Sequence, residues 1–333
     1  MKGENMTGLF DSWQRQINYL RVSVTDRCNL SCLYCIAQTR AYIPHDDILR
    51  YEEVHGVVQA AATLGINKVR LTGGEPLVRL NLNRLVELIS QVEGIDDISL
   101  TTNGVLLDKY AVELKKAGLK RVNVSLDTLK QARFKSITGK NELGRVLSGI
   151  EAAHRAGLEP VKTNMVVLRG INDDETIDFA RMSLTEGWHV RFIEFMPFGT
   201  PEAEAIGMVS AQEIRERIQP LGKLEPYTGQ TGNGPANYYQ LPGATGTIGF
   251  ISPMTEHFCH GCNRLRLTSD GQLRPCLLDD DEVNLKEPLR NGANIDELRQ
   301  LIRKAVAIKR ERHRLTGGLA SEPVNRPMCQ IGG

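Results

Sequence analysis

Residues 19–35, "YLRVSVTDRCNLSCLYC", decide the fold. The first seven, "YLRVSVT", alternate apolar and polar side chains with the period of a strand. The strand runs straight into a loop holding Cys28, Cys32 and Cys35, spaced by three residues and then by two. Strand-like stretches recur at 67–74, 98–104, 121–127, 161–167 and 189–197. Helical patterns fit between them at 52–65, 83–94, 108–117, 145–156 and 174–186, the first two stopped by Gly65 and Gly94. Strands alternating with helices predict a parallel sheet built from six β/α units.

Such a sheet is either open and doubly wound or a partial barrel. The side-chain pattern favours the barrel. Alternate positions carry Arg21, Ser23 and Thr25 on the first strand, and Arg70 and Thr72 on the second. They carry Asn123 and Ser125 on the fourth, and Lys162 and Asn164 on the fifth. Period two puts each set on one face of its strand. A full eight-fold barrel fills its interior with branched apolar residues, and parallel sheets are covered on both faces. Polar inner faces therefore predict a ligand cavity. The expected fold is α/β, a partial (β/α)6 TIM-like barrel with a C-terminal extension carrying short strands and a helix. Residues 1–200 form the barrel with an N-terminal arm. Residues 201–333 form the extension, through a Gly/Pro/Thr-rich crossing segment at 200–246, short strands around a second cysteine group, and a helix at 294–314.

A chain of 333 residues buries a large core and suits about two domains. Its net charge of +1 gives no global attraction to nucleic acid or a membrane surface, and no recognition helix is visible. No apolar run reaches ~18 residues, so no membrane span is expected. The start, "MKGENMTGLFDSWQ", lacks the apolar core of a secretory leader, so a cytoplasmic location is expected. Six of the seven cysteines fall into two triplets. An odd count with tight clustering indicates metal-binding thiolates in a reducing compartment, not a disulfide framework.

Thiolates select zinc, copper(I) or iron–sulfur clusters. The first triplet has no fourth ligand in its loop, and His45 is ten residues on and isolated. A cubane cluster can use three thiolates and leave one iron open, and an open metal position is what catalysis needs. The second triplet lies in "FCHGCNRLRLTSDGQLRPC", as Cys259, Cys262 and Cys276. Spacing alone leaves zinc open there, with His257 or His260 completing a Cys3His set and Cys329 in the tail.

The C-x3-C-x2-C loop after a first barrel strand, with Tyr34 before the third cysteine, resembles the radical S-adenosylmethionine (SAM) superfamily. That resemblance implies that SAM chelates the fourth iron through its amino and carboxylate groups. An electron then cleaves SAM to methionine and a 5′-deoxyadenosyl radical, which takes a hydrogen atom from a substrate. "TGGEP" (72–76) after the second strand is similar to the superfamily's SAM-amino motif. It implies Gly74 as a SAM contact, with Tyr34, Ser125 and Met196.

"YLRVSVTDRCN", "RLTGGEPL", "FCHGCNRLRLT", "DGQLRPCL" and the terminal "IGG" together resemble the MoaA-type GTP 3′,8-cyclase family, over about residue 8 to 333. This family starts molybdenum-cofactor biosynthesis. The resemblance implies two [4Fe-4S] clusters, one on Cys28, Cys32 and Cys35, the other on Cys259, Cys262 and Cys276. It implies hydrogen abstraction from ribose C3′ of GTP and attack on guanine C8, giving (8S)-3′,8-cyclo-7,8-dihydroguanosine 5′-triphosphate. It carries Arg21, Arg70, Thr101, Lys162, Arg264, Leu265 and Arg266 over as GTP contacts. Arg264 and Arg266, with Gly332 and Gly333 of the tail, are carried over as catalytic.

It also implies a low-potential flavodoxin- or ferredoxin-type electron donor, and a downstream cyclic pyranopterin monophosphate synthase that receives the product. A homodimer is the assembly it allows. There is no G-x4-G-K-[ST] loop, so a triphosphate must find separate cations, and Arg21, Arg70 and Lys162 supply them. Two departures from the family pattern stand out: "LNLN" after "EPLVR", where the family shows basic and acidic residues, and Cys329 at a tail position that the family fills with another small residue, which argues against Cys329 being a ligand. The competing readings are a two-cluster radical enzyme that modifies peptides, a non-enzymatic iron–sulfur sensor, and a zinc protein.

Overall fold

The computed structural model describes residues 8–35, 41–196, 206–229, 232, 234–313 and 326–332. Six strands form the centre of one sheet: β1 Tyr19–Ser23, β2 Lys68–Thr72, β3 Asp97–Thr102, β4 Arg121–Ser125, β5 Lys162–Val167 and β6 His189–Glu194. They lie side by side in chain order, and every neighbouring pair is parallel. A doubly wound sheet would reverse its order at a switch point. Unbroken order is what repeated right-handed β/α crossovers of a barrel produce. The crossovers are α1 Tyr51–Ala62, α2 Leu82–Ser90, α3 Leu107–Lys116, α4 Gln131–Thr138 with α5 Leu143–Arg155, and α6 Thr176–Thr185.

The stretch after residue 200 adds strands to both flanks of this sheet. β9 Thr247–Ile251 pairs parallel with β6, and β10 Arg264–Leu267 pairs parallel with β1. Short antiparallel strands follow outward: β11 Gln272–Arg274 and β12 Val283–Asn284 beyond β10, β8 Asn237–Gln240 and β7 Glu225–Pro226 beyond β9. The twelve-stranded order runs from β12 to β7 without closing, so the barrel is partial.

The helices pack on the outer faces of the strands. Leu20, Val22, Val69, Leu71, Ile98, Leu100, Val122 and Val124 are all within 2% of full burial on that side. Val54, Val57 and Val58 of α1 and Leu85, Val86 and Ile89 of α2 meet them in the same core. Each such side chain contributes about 1.5–3 kcal/mol by leaving water. With the outer positions apolar, the alternate positions must face inward, and they are the polar set.

Four short elements were not expected. α4 is eight residues long and buries Phe134, Ile137 and Thr138, too few for a helical period to register. The crossing segment at 200–246 holds a helix, Ala211–Ile218, started by a Ser210/Glu213 capping box, and the strands β7 and β8. The C-terminal helix expected at 294–314 spans only Ile295–Ala307, with Asn294 capping two of its free N–H groups and residues 308–313 outside the helix.

Candidate active site

Two glycines fit the first cysteine loop to its neighbour. A side chain on Gly73 would collide with the Thr25 carbonyl oxygen, and one on Gly74 with that of Arg27. Without them the backbones interlock: Gly74 N donates to Thr25 O at 2.7 Å, and Glu75 N to Arg27 O at 2.8 Å. Glu75 is then buried, accepting from Leu77 N, Thr102 Oγ1 and Asn103 N at 3.0, 2.7 and 2.6 Å. Burial raises its carboxyl to about 7 against those bonds. Asn103 passes the support on, with Nδ2 2.8 Å from Asn29 Oδ1 and 3.8 Å from Cys28 Sγ. Tyr34 donates its hydroxyl to Asp127 Oδ2 at 2.6 Å. Burial lifts Asp127 to about 6 despite that bond and one from Val166 N.

The surroundings raise all three thiols of this triplet. Burial pushes Cys28 up to about 11, and Glu75 adds to it. Burial and then Asp127 hold Cys32 well above its ordinary value. Cys35 is raised first by its hydrogen bond with the Cys329 thiol and then by burial.

The second triplet is placed by β10 and β11. Cys262 precedes β10, Cys276 follows β11, and Cys259 opens a 3-10 turn, Cys259–Gly261. Lys309, 3% exposed, ties the pieces together by donating to the Arg264 carbonyl at 3.1 Å and to the Pro275 carbonyl. Arg264 sits over the Phe258 ring and reaches Cys262 Sγ at 3.6 Å. Burial alone would raise Cys262, but Arg264 and Lys309 outweigh it and bring the thiol down to about 6.

Between the triplets lies a row of cations. The register sets Arg266 of β10 beside Arg21 of β1, and Arg21 beside Arg70 of β2. Like charges on adjacent strands repel. Burial, followed by Arg266, holds Arg21 well below the usual guanidinium range. Burial and Arg264 lower Arg266 to about 10. Arg70 donates to Ser99 Oγ at 3.0 Å and lies 5.5 Å from the Tyr19 ring centroid. Lys162 is 3% exposed, with Nζ 3.1 Å from Tyr238 Oη. Burial, then Arg191, Arg121 and Arg70, lower it to about 6. Such a concentration of buried positive charge is what an anionic ligand relieves.

All six triplet cysteines line one cavity of about 310 Å³. Arg21, Arg70, Thr101, Arg264 and Arg266 share that wall, as do Tyr34, Gly74, Ser125 and Met196. Three expected residues stand differently. Lys162 lies behind the wall against Tyr238. Leu265 turns its side chain into the apolar core, since period two sends it opposite to Arg264 and Arg266. Gly332 is not among the lining residues but packs against Ser23 and Thr72, its carbonyl accepting from Arg266 Nη1 at 2.6 Å. Gly333 lies outside the described residues.

Arg191 of β6 is a cavity residue that the sequence reading passed over. It is 4% exposed, and its Nε and Nη2 have no partner among the described residues. The signal was present, because Arg191 falls at an alternate position of "HVRFIE" as Arg21 and Arg70 do in their strands.

The donor sets fit iron–sulfur cages. Each offers three cysteines outside any disulfide, facing one cavity. Among the described residues no three His, Cys, Asp or Glu side chains converge tightly enough for a single metal ion, whereas a cubane takes each thiolate on a separate iron. For the zinc alternative, His257 Nδ1 is engaged 2.8 Å from the Pro253 carbonyl and 3.2 Å from His313 Nε2, and His260 is exposed.

Residues 22–183 match the radical SAM superfamily, and residues 188–315 match the family described as Molybdenum Cofactor Synthesis C. The chain is 52% identical over 326 residues to a GTP 3′,8-cyclase of Pelotomaculum thermopropionicum, covering 97% of this chain and 99% of that protein. It is 51% identical over 324 residues to a GTP 3′,8-cyclase of Moorella thermoacetica, with 97% and 99% covered. Among solved structures, Streptococcus suis SuiB bound to precursor peptide SuiA superposes with a TM-score of 0.61 at 15% identity. That match covers 95% of this chain and 76% of that one, and at this identity it bears on the fold alone.

Proposed function

The chain belongs to the GTP 3′,8-cyclase family of radical SAM enzymes, and from that premise we propose which of its residues carry each part of the reaction. It is an enzyme that cyclises GTP in molybdenum cofactor biosynthesis, and it uses SAM and two [4Fe-4S] clusters. The first cluster, when bound, supplies the electron that cleaves SAM to the radical that takes the C3′ hydrogen of GTP.

Cys28, Cys32 and Cys35 hold that cluster, with the interlocked Gly73–Gly74 loop fixing the backbone around it. Tyr34, Gly74, Ser125 and Met196 surround SAM. Cys259, Cys262 and Cys276 hold the second cluster. Arg266, Arg21 and Arg70, side by side, bind the polyphosphate with Thr101. Arg191 completes the cationic wall, and Lys162, held against Tyr238, adds its charge from behind it. A triphosphate of roughly four negative charges, at about two per terminal phosphate group, neutralises this wall and restores the proton to Lys162. Arg266 ends the row on the side of the second triplet and Arg264 reaches Cys262 of that triplet, so the two arginines would flank a guanine base bound at the second cluster. Gly332 braces Arg266 through its carbonyl, and Gly333 is proposed to act with it as the catalytic tail. In this division residues 1–200 carry the SAM half and residues 201–333 the second cluster.

The observation that carries the assignment is the Arg266–Arg21–Arg70 register within the cavity that both triplets line. The test is anaerobic reconstitution and incubation with GTP, SAM and dithionite, with products read by mass. The cyclised guanosine triphosphate and 5′-deoxyadenosine are expected in equal amounts from the intact chain. Deoxyadenosine without cyclised nucleotide is expected from Arg21→Ala. Undiminished cyclisation by Arg21→Ala and Arg70→Ala together would remove the polyphosphate assignment.

No described helix is long and apolar enough to cross a membrane. We extend the proposal to a cytoplasmic location, since open thiolate-held clusters need a reducing compartment. It includes a flavodoxin- or ferredoxin-type electron donor and hand-off of the product to cyclic pyranopterin monophosphate synthase.

A further inference from the structure

Cys329 is the one cysteine that the assignments above leave unused. It lies in the last helical turn, Met328–Ile331, and is 1% exposed. It is 294 residues from Cys35 in sequence, yet its Sγ is 4.0 Å from the Cys35 carbonyl oxygen. Cys329 lines the same cavity as Cys28, Cys32 and Cys35. A fourth thiol therefore stands at the triplet that has three.

The turn has little freedom to move away. Ile331 is fully buried beside Leu278, with Met196 and Met328 packed around them. The Gly332 carbonyl is held by Arg266 Nη1 at 2.6 Å. Gly332 has φ +81°, and a Cβ there would fall 2.8 Å from Thr72 Cγ2 and 3.1 Å from Ser23 Cβ, so the chain passes flush against β1 and β2. These anchors deliver the Cys329 thiol to the first triplet by a fixed backbone.

Resting on the reading that Cys28, Cys32 and Cys35 hold the first cluster, we propose that Cys329 is a displaceable fourth thiolate, which ligates the open iron when SAM is absent and gives it up to SAM. A cubane accepts a fourth thiolate as readily as its first three. The exchange moves no electrons. One iron–sulfur bond forms as the thiol proton leaves to solvent. When the amino and carboxylate groups of SAM take the iron, that bond breaks and the thiolate regains a proton. Two consequences follow. The SAM-free cluster keeps its fourth iron under mild oxidation, and SAM binds more weakly than it would to an uncapped iron, because only the uncapped fraction is competent.

The experiment uses the anaerobically reconstituted full chain, Cys329→Ser and Cys329→Ala, each with iron and sulfide measured first. One equivalent of ferricyanide is added with and without saturating SAM, and the [3Fe-4S] product is counted by electron paramagnetic resonance. Equilibrium SAM binding is measured on the same samples. The second cluster contributes equally to all three proteins, so differences report on the first. Without SAM, both variants are expected to yield about fivefold or more [3Fe-4S] than the intact chain. With SAM, the difference disappears. SAM is expected to bind both variants about fivefold or more tightly. Equal yields and equal affinities in fully loaded proteins overturn the proposal and leave the ligand assignment standing. Retention of the SAM-responsive cluster by a Cys28/Cys32/Cys35 triple alanine variant overturns both.

Discussion

Cys262 lies beside Arg264 and under the influence of Lys309, whereas Cys32 faces Asp127 and Cys28 faces Glu75. The two triplets have the same number of thiols and opposite electrostatic settings. Nearby cations stabilise added negative charge, and a low-dielectric pocket with carboxylates destabilises it. Cluster potential follows local charge, hydrogen bonds and exposure. On the proposed ligand assignment, the carboxylates at the first site favour loss of an electron, and the cations at the second favour added negative charge. One cavity serves both because β10 pairs with β1 and sets the second triplet's loop against the first.

The comparison breaks most sharply on the cysteines. Replacing Cys28, Cys32 and Cys35 by alanine should abolish 5′-deoxyadenosine formation from SAM and dithionite. Replacing Cys259, Cys262 and Cys276 should leave it within about tenfold of the intact chain while abolishing cyclisation. Chromatography of the two products separates these outcomes, and equal losses would mean that the sites do not divide the work.

Next in size are the arginines. Arg191→Ala or Arg70→Ala removes a charge-assisted contact of about 1.5–3 kcal/mol, which raises the GTP Kd roughly 10- to 150-fold. SAM affinity should be unchanged, and calorimetric titration of both ligands checks the split. Lys309→Met sharpens the electrostatic contrast itself. Losing that charge should shift the second cluster's midpoint potential negative by on the order of 60 mV, a tenfold change in a one-electron equilibrium. The first cluster's potential should stay put in a spectroscopic redox titration.

The smallest effect concerns protons. Lys162 is lowered to about 6 in the empty site, so at pH 8 it is mostly neutral. An anion raises its pKa, so binding takes up to one proton between about pH 6 and the lysine's ordinary value near 10.4. Affinity therefore falls as pH rises from about 6 and levels off once pH exceeds the pKa of the bound state. Titrations with GTP in buffers of different ionisation enthalpy should show this uptake, and Lys162→Met should lose it.

Period-two alternation revealed the inner polar faces of β1, β2, β4 and β5, and strand–helix alternation revealed the order of the sheet. Those are local signals, repeated within each unit. Arg191 had the same signal and went unread beside Phe192 and Phe195, which mark their strand as a core element. The pairing of β10 with β1, and the approach of Cys329 to Cys35, link residues more than 240 and 290 positions apart, on the order of the whole chain, and no pattern in one sequence encodes such a meeting. β7 and β12, of two residues each, are too short to have a period at all.

The account rests on two separate cages, each held by its own three cysteines. Iron and acid-labile sulfide, counted in the anaerobically reconstituted intact chain and in each triple alanine variant, test it most directly. About eight of each are predicted for the intact chain, and about four for either variant. Zinc at the second site, or a triple variant that still holds eight irons, would contradict it.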